Sequence, residues 1–437
     1  PQITGNTLGR DKKKYEINCL LYIKMEEVSM ETQWADAGEH INQSEFIIDG
    51  AVCEQNPVVQ EETVYQCPSL FTSKTLIELS CTSWTPHKVK CGKFLQPYLR
   101  GCKWSPDGTC CLSVVNNDGV HVFELPRDLY TGNVKKDRII DAMNSVIHVK
   151  EAGLIYDFCW FPHMNSAIPE SCWLVWLTTR QNGPVQLWDA YDGSLRCSYR
   201  GFDAVDQMEP AISVTFTEDG SRIIAGYRKY IRTFNVERPG RDFDEHSIQT
   251  PAACFDTSGN LLAVGSWNTS ISLYSVNELG AYKSIGGVTQ VKFTSDGLHL
   301  VSGARKDNRL MVWDIRYYRR PLRILSREVD NNQRVYFDIS SCGRHLVTGG
   351  TDGCFNNDIK HFSLQFPLHK DSCNSVSIHP VRPILATGSG QFHHFESVSE
   401  NSQSTTDEDM CHTDKCQNSL VFWWIGFTKT GLFKPMF

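Results

Sequence analysis

The sequence predicts an all-β protein, a β-propeller of seven blades, from three observations. A short apolar strand that ends in a large residue and runs into a Gly or Pro turn recurs seven times. Successive copies lie 38 to 56 residues apart, as expected for propeller blades with insertions. Most copies are followed by two further strands with period-two alternation, separated by Asp-Gly or Ser-Gly turns.

Each copy is placed by the residue that ends its apolar strand, here called the anchor. The anchors are Trp104, Trp160, Phe216, Phe255, Phe293, Phe337 and Ile378. Third strands are predicted at 121–125, 186–190, 232–236, 272–276, 311–315 and 420–424. The sixth copy has Asn357 in the aromatic position of this strand, so its blade is predicted to be irregular. Open solenoids also have repeats of this length, but aromatic motifs inside each unit favour closed blades.

Closing the ring requires an outer strand from the other end of the chain, because an unpaired sheet edge invites aggregation. The segment "TLIELSCTSW" (75–84) precedes the first inner strand and is the natural donor. We therefore expect one propeller over 72–437, with an acidic insertion at about 391–418. Residues 1–71 are predicted to be an acidic, disordered linker. "MEEVSMETQW" from Met25 would make a natural start, so residues 1–24 are interpreted as lying outside the mature protein.

The Trp-Asp pairs that end some third strands indicate blades of the WD40 type. Their most economical interpretation is structural rather than chemical. Ser302, Asp307 and Trp313 are predicted to form a buried hydrogen-bonded set, although the Gly-His that would complete it is missing from "SIGGVTQ". The residues assigned to the blade core are Trp104, Trp160, Trp188, Asp189, Trp313, Asp314 and Trp423.

Composition excludes several classes of protein. The 437 residues are 41% hydrophobic and 11% aromatic, which is too apolar for a mainly disordered chain. No window resembles a membrane-spanning segment, so no membrane partner is expected. The 17 cysteines have no framework spacing and Cys110 adjoins Cys111, which favours a reducing compartment, cytosol or nucleus.

No catalytic or cofactor motif is present, and the chain is predicted to be neither an enzyme nor a cofactor-binding protein. One metal-like cluster, "CHTDKC" (411–416), follows His393 and His394. Zinc sites need four ligands at tight spacings on a held scaffold, whereas this cluster lies in a Ser-rich acidic insertion. No metal is therefore expected there.

Positive charge is concentrated in two segments although the chain carries a formal charge of −7. Residues 305–334 hold nine Lys or Arg against four Asp or Glu, and residues 221–241 hold six against one. Tyrosines are interleaved with both, and Phe234 lies in the second. Arg-rich loops with aromatics suit phosphate contacts and stacking on unpaired bases. The alternative from composition alone is a solvated, salt-bridged set of loops.

Seven segments resemble the telomerase Cajal body protein family of WD-repeat proteins, in order along 94–424 and in every blade but the sixth. They are "FLQPYLRGCKWSPDGTCCL" (94–112), "IYDFCWFPHMNSAIPESCWL" (155–174), "VQLWDAYDGSLRCSYR" (185–200), "VERPGRD" (236–242), "SGARKDNRLMVWDIR" (302–316), "SREVDNNQRVYFD" (326–338) and "FWW" (422–424). The stretch "CFNNDIKHF" and the C-terminal "TKTGLFKPMF" depart from the family pattern.

The resemblance implies a non-catalytic RNA-binding scaffold. Family members bind a loop element of H/ACA-type small Cajal body RNAs and, in animals whose telomerase RNA carries it, telomerase RNA. They escort these particles to Cajal bodies and telomeres with dyskerin-type H/ACA ribonucleoproteins, and they fold with a cytosolic chaperonin. The expected location is therefore the nucleus and its Cajal bodies, after a cytosolic folding stage.

The candidate RNA-binding residues lie in the two basic segments, where the resemblance is also strong. They are Arg305, Lys306, Arg327, Arg334, Tyr336, Arg228, Arg238 and Arg241. A competing hypothesis comes from "WDIR" (313–316), which fits the Trp-Asp-x-Arg pattern by which some propellers dock on cullin ubiquitin-ligase adaptors. On that interpretation the chain is a protein–protein adaptor that uses Trp313 to Arg316.

Overall fold

Short antiparallel strands make up most of the computed structural model. It describes residues 70, 76–88, 94–131, 134, 140–151, 153–178, 183–203, 205–275, 279–283, 287–317, 319–359, 362–393 and 416–426. All of these fall in the second of two compact units, Val64–Phe437. The first unit, Pro1–Thr63, lies outside the described residues, as do the linker predicted at 1–71 apart from residue 70 and most of the predicted acidic insertion.

The strands are numbered in chain order. The first sixteen are β1 (Ile77–Ser83), β2 (His87–Lys88), β3 (Phe94–Leu95), β4 (Leu99–Trp104), β5 (Cys110–Val115), β6 (Gly119–Glu124), β7 (Asp141–Ala142), β8 (Ile147–Val149), β9 (Ile155–Trp160), β10 (Trp173–Thr178), β11 (Val185–Asp189), β12 (Leu195–Tyr199), β13 (Ser213–Phe216), β14 (Arg222–Gly226), β15 (Tyr230–Asn235) and β16 (Asp244–Ser247). The others are β17 (Ala252–Ser258), β18 (Leu261–Ser266), β19 (Ser270–Ser275), β20 (Leu279–Lys283), β21 (Val288–Phe293), β22 (His299–Ala304), β23 (Arg309–Asp314), β24 (Arg323–Ser326), β25 (Phe337–Ile339), β26 (His345–Gly349), β27 (Cys354–Ile359), β28 (Phe362–Pro367), β29 (Cys373–Ile378), β30 (Ile384–Ser389) and β31 (Ser419–Trp424). Two short 3₁₀ helices span Arg127–Thr131 and Pro169–Ser171.

Seven sheets form the blades of a β-propeller, which confirms the predicted fold class. Blade 1 is β4-β5-β6-β8, and blades 2 to 6 take β9 to β28 in consecutive sets of four. Blade 7 is β29-β30-β31-β1, with the two-residue β7 parallel to β1 at its edge. Strands β2 and β3 form a separate hairpin. Within the described ranges, no helix is long and apolar enough to span a membrane.

The N-terminal strand closes the ring, as the sequence predicts. Strand β1 pairs antiparallel with β31 from Ile77 opposite Trp424 to Ser83 opposite Ser419. Leu79 is fully buried and packs in a core cluster that contains residues of blade 1, such as Leu99 and Phe123, together with Phe422 of blade 7. The first and last strands of the domain therefore share one blade.

Five of the seven anchors are the last residue of their inner strand, as the repeat pattern predicts, whereas Phe255 lies in the middle of β17 and Phe337 begins β25. Six of the seven are buried, and Phe255 is half-buried. Trp104, Trp160, Trp313 and Trp423 lie in the core, whereas Trp188 is half-buried. Apolar period-two strands bury one face of each blade against its neighbour, which is the main source of stability in this architecture.

Hydrogen bonds between first strands connect every blade to the next. Most use one side chain to reach the backbone of the neighbouring blade, so each blade sets the register of its neighbour. In ring order they are Trp160 Nε1 to the carbonyl of Lys103 (3.0 Å), Val214 N to Asp157 Oδ2 (3.2 Å), Ser213 Oγ to the carbonyl of Ala252 (2.7 Å), Phe293 N to Asp256 Oδ2 (2.6 Å), Gln290 Nε2 to the carbonyl of Phe337 (2.8 Å), Ile378 N to Asp338 Oδ2 (2.7 Å) and Trp104 N to Ser377 Oγ (3.2 Å).

Blade 6 corrects the prediction of irregularity. Its third strand, β27, pairs along its length with β26 and β28. Asn357 occupies the predicted position and is fully buried. The asparagine therefore replaces an aromatic side chain in the buried interior of the blade without disturbing the strand pairing.

The hydrogen-bonded set predicted in blade 5 forms only in part. The indole of Trp313 donates to Ser302 Oγ at 2.9 Å. Asp307 is buried, but its carboxylate accepts from the backbone and side chain of Arg309 at 3.1 and 2.9 Å. Asp307 therefore pairs with Arg309, two residues away, instead of joining the predicted set with Ser302 and Trp313.

Ring closure can be tested by truncation. A fragment 64–437 keeps β1 and should melt cooperatively in a thermal scan. A fragment 91–437 removes β1 and exposes the edge of β31, so we expect it to aggregate. A soluble 91–437 fragment with an unchanged melting curve would contradict the closure.

The core role of Trp313 can be tested against an exposed tryptophan of blade 4. Trp313→Ala should lower the free energy of unfolding by roughly 3–5 kcal/mol, because it leaves a large cavity. Trp267 is 37% exposed, and Trp267→Ala should cost less than about 1 kcal/mol. Equal losses in urea denaturation would show that Trp313 is not a core residue.

Candidate nucleic-acid interface

The two faces of the ring are defined by the direction of the first strands. The face where each first strand begins is here called the upper face, and the opposite one the lower face. Because neighbouring strands are antiparallel, the turns between second and third strands also lie on the upper face. Turns between first and second strands lie on the lower face.

A cavity of about 230 Å³ opens at the upper mouth of the central channel. Its lining holds three arginines, three tyrosines and one tryptophan, and no carboxylate from the described residues. The lining residues are Tyr98, Leu99, Arg100, Ile155, Tyr156, Phe158, Ile212, Ala253, Trp267, Thr289, Arg305, Asn332, Gln333, Arg334, Tyr336 and Asn374. A mouth with this composition suits an anion that carries aromatic groups.

The repeat itself brings these residues together. Arg100 and Tyr156 each stand four residues before the anchor of their blade, as do four other lining residues. Trp267 and Arg305 each stand twelve residues after their anchors, in the second-to-third turns of blades 4 and 5. Equivalent positions of successive blades therefore meet around the axis.

Arg305 is the predicted candidate that the structure places at the mouth with an exposed side chain. Its guanidinium lies over the ring of Trp267, 5.2 Å from the ring centroid. Burial and the nearby Arg334 lower its pKa from the ordinary arginine value. Neither Arg305 nor Arg100 forms an ion pair with another described residue, so both charges are available to a ligand.

Arg334 crosses the channel and is engaged within the protein. Its Nη1 donates to Asp157 Oδ1 at 2.9 Å and to the Tyr336 hydroxyl at 3.1 Å, and its Nη2 donates to the carbonyl of Ala253 at 3.2 Å. Burial alone would lower its pKa, but Tyr336 and Asp157 raise it above the ordinary value. Arg334 and Tyr336 line both the upper cavity and the lower one.

Arg327 corrects the predicted site, because it is 2% exposed. Its guanidinium donates to the carbonyls of Val335 and Ala304 at 2.9 and 3.2 Å. Burial lowers its pKa to about 10, opposed by Asp307. A phosphate cannot reach this side chain, so Arg327 holds the loop before blade 6 and is not a surface contact. Tyr336, 5% exposed, is likewise inside the channel rather than free to stack on a base from solvent.

The remaining candidates divide between two places. Lys306 and Arg228 are exposed in second-to-third turns and therefore lie on the upper face. Arg238 and Arg241 lie in the loop between β15 and β16, which pairs with the end of blade 2 through Tyr199 and Gly240. Arg241 contacts Asp206 at 3.2 Å and stacks on Phe202 at 3.8 Å. This second pair is not part of the mouth.

The lower cavity has a different charge pattern. About 330 Å³ in volume, it is lined by Lys103, Lys292 and Arg334 together with Asp157, Asp256 and Asp338. Lys292 pairs with Asp338, and burial raises the pKa of Asp256 to about 6. Its charges largely compensate one another, so the uncompensated positive charge lies at the upper mouth.

The structure gives little support to two other sequence motifs, "WDIR" and "CHTDKC". In "WDIR", Trp313 is buried and Arg316 donates to Asp314 at 2.8 Å on the lower face, so the motif presents one exposed, self-paired cation. Residues 411–415 of "CHTDKC" and His394 lie outside the described residues. His393 pairs with the buried Asp371 at 2.7 Å.

Fold and mouth together define the class: a WD-repeat β-propeller whose channel opens at a cationic, aromatic mouth. The WD domain, G-beta repeat family matches residues 277–314, which include the first three strands of blade 5. The telomerase Cajal body protein 1 homolog of Drosophila melanogaster is 40% identical over 407 residues, covering 86% of this chain and 73% of that protein.

Two mammalian relatives agree. Telomerase Cajal body protein 1 of Bos taurus is 35% identical over 360 residues (75% of this chain, 65% of that protein), and that of Homo sapiens is 36% identical over 318 residues (67% and 57%). The chain therefore belongs to the telomerase Cajal body protein 1 family, as the resemblance predicts. It spans less than two thirds of the bovine and human proteins.

The channel pair generates a stability prediction. Arg334→Ala leaves Asp157 buried without its cation and should cost roughly 3–5 kcal/mol. Replacing both residues, Arg334→Met with Asp157→Leu, should cost less than the sum of the single changes in a urea denaturation cycle. Arg316→Ala removes an exposed pair and should cost less than about 1 kcal/mol. Additive losses for the channel pair would contradict the coupling.

Proposed function

We propose that this chain is a non-catalytic RNA-binding scaffold that recognises H/ACA-type small Cajal body RNAs at the upper mouth. The observation that carries the proposal is the mouth itself, which combines Arg100 and Arg305, neither of them in an ion pair with another described residue, with aromatic rings and has no carboxylate in its described lining. The names of the relatives, which join telomerase and the Cajal body, support this proposal. Telomerase RNA is included in the proposal where it carries the same loop element.

The mouth would bind a single-stranded loop rather than the side of a duplex. Sequence-specific RNA recognition mostly uses unstacked bases that leave the helix and stack on aromatic or guanidinium planes. Trp267 and Tyr156 are 37% and 42% exposed and would supply the planes. Arg100 and Arg305 would contact the phosphates beside the stacked bases.

Charged residues on the rim extend this surface. Lys306 and Arg228 are exposed in upper-face turns of blades 5 and 3 and would track the strands that lead into the loop. Arg334 contributes a positive field from inside the channel while its hydrogen bonds keep the mouth in shape. In this proposal its role, like that of Tyr336, is to position the mouth.

The scaffold would work with protein partners at defined places in the cell. We include dyskerin-type H/ACA ribonucleoproteins as partners and a cytosolic chaperonin as a folding factor. The nucleus and its Cajal bodies are the proposed location, which the names of the relatives support. Seven interlocked blades built mainly from sequence-distant contacts are the kind of topology that folds slowly and benefits from assistance.

Filter binding of an H/ACA hairpin at several salt concentrations tests the mouth. Arg100→Ala and Arg305→Ala should each weaken binding and reduce the slope of log K against log salt by about 0.7, the value for one single-strand phosphate contact. Trp267→Ala should lose roughly 1–3 kcal/mol of binding free energy with little change in slope, because stacking releases no counterions.

Matched controls separate this proposal from its competitors. Arg316→Ala and Arg319→Ala remove cations from the lower-face turn of blade 5 and should leave affinity and slope unchanged. Equal affinity for a hairpin with a scrambled loop would show that the mouth binds RNA only by non-specific electrostatic attraction. Recovery of cullin-ligase subunits with the parent but not with Arg316→Ala, and no RNA with either, would favour the adaptor hypothesis.

A further inference from the structure

Two histidines and an aspartate converge at the rim of blade 1, away from the mouth. The Nε2 atoms of His121 and His148 lie 3.0 and 3.3 Å from the two carboxylate oxygens of Asp118. One ligand atom from each residue lies within 4.8 Å of the other two. None of the three residues lines the upper or the lower cavity.

Regular structure holds the three side chains in place. His121 on β6 is directly opposite His148 on β8 in the antiparallel register. Their rings stack 4.1 Å apart at an interplanar angle of 15°. The Nε2 atom of His148 also lies 3.1 Å from the backbone carbonyl oxygen of Asp118. Asp118 lies in the tight turn that enters β6, between Asn117 at φ 61° and Gly119 at φ 117°.

We propose that Asp118, His121 and His148 form a zinc site. Zinc binds imidazole nitrogen and carboxylate oxygen at roughly 2.0–2.2 Å, which places the ligand atoms of a tetrahedron about 3.3 Å apart. The two nitrogen–oxygen separations are already close to this value. Small rotations of the His148 side chain, on an edge strand, would bring the third pair of atoms to it.

The donor set selects the ion. Two imidazoles and one carboxylate suit zinc and its neighbours in the transition series, whereas calcium and magnesium prefer oxygen ligands alone. His148 and Asp118 have side chains 29% and 30% exposed, so water reaches the site and supplies the fourth ligand. His121 is 6% exposed, beside the rings of Trp84 and Phe123, which form an apolar wall.

The site would stabilise the edge of blade 1. Strand β8 has three residues and is the shortest fourth strand in the ring. An ion bound to Asp118, His121 and His148 would join this strand to the third strand and to the turn before it. Without metal, the same residues are a hydrogen-bonded group, in which His121 Nε2 lies 3.0 Å from Asp118 Oδ2 and His148 Nε2 lies 3.1 Å from the backbone carbonyl oxygen of Asp118. An ion that binds only the folded chain raises its stability, so a zinc-dependent rise in stability distinguishes the metal site from the hydrogen-bonded group.

Cobalt(II) is the probe, because tetrahedral cobalt has visible absorption bands that zinc then removes. The full chain, stripped with EDTA, should bind one cobalt per molecule with bands typical of nitrogen and oxygen ligands. His148→Ala should weaken this affinity by at least about 100-fold. Losing a residue that only hydrogen-bonds to a metal ligand already costs up to about 100-fold, and His148 would be a ligand itself. Asp118→Asn should do the same, and zinc should raise the melting temperature of the parent alone.

His299→Ala is the matched control, since His299 also pairs with an aspartate, at 3.1 Å, without a second histidine. It should retain full cobalt affinity. The proposal is overturned if the parent takes up no stoichiometric cobalt, or if His148→Ala keeps the ion. It is also overturned by strong thiolate charge-transfer bands that persist in both variants, because cysteines would then hold the metal. If a variant folds poorly, the parent still decides the test: no rise of its melting temperature with zinc would overturn the proposal.

Discussion

The antiparallel pairing of β1 with β31 is the contact on which the rest of the ring depends. A propeller blade buries its faces against two neighbours, so a ring that opens between blades exposes two apolar faces, and the loss of β1 also exposes the edge of β31. Strand β1 closes the ring between the ends of the domain and also places Leu79 among the side chains shared by blades 7 and 1. Each inter-blade hydrogen bond fixes only its own pair of neighbouring blades. The pairing of β1 with β31 is what joins the two ends of the domain into a closed ring.

Closure also creates the channel, and Arg334 divides that channel electrostatically. The arginine bonds to blade 2 through Asp157 and to blade 4 through Ala253 from its place before blade 6. The described acids of the channel lie on the lower side, where lysines and Arg334 compensate them, and the described lining of the upper mouth holds cations without acids. A formal charge of −7 for the whole chain therefore says little about this surface, since exposed charges more than about 10 Å apart are largely screened at 0.1 M salt.

Most of the fold could be predicted from the repeat, because blade formation needs only a period-two pattern, an anchor and a turn. The seven anchors, the third strands and the donor strand all follow from that pattern. Blade 6 could not be predicted correctly, because Asn357 replaces the aromatic residue by which the pattern identifies a third strand. Pairing with two neighbours through the backbone keeps β27 regular although the buried position holds a polar side chain.

The site was harder to predict, because charge counted along the chain mixes residues that strands carry to different places. The segment 305–334 passes from the upper turn of blade 5 to its lower turn and back, so Arg305 reaches the mouth, Arg316 the lower face and Arg327 the interior. Position relative to the anchor is the better signal, since the ring converts equal offsets into neighbours around one axis. Arg100 and Tyr156, four residues before their anchors, and Trp267, twelve after its own, belong to no basic segment, yet they share the mouth with Arg305. In a repeat protein of this kind, aligning the repeats before counting charges would have identified the mouth from the sequence.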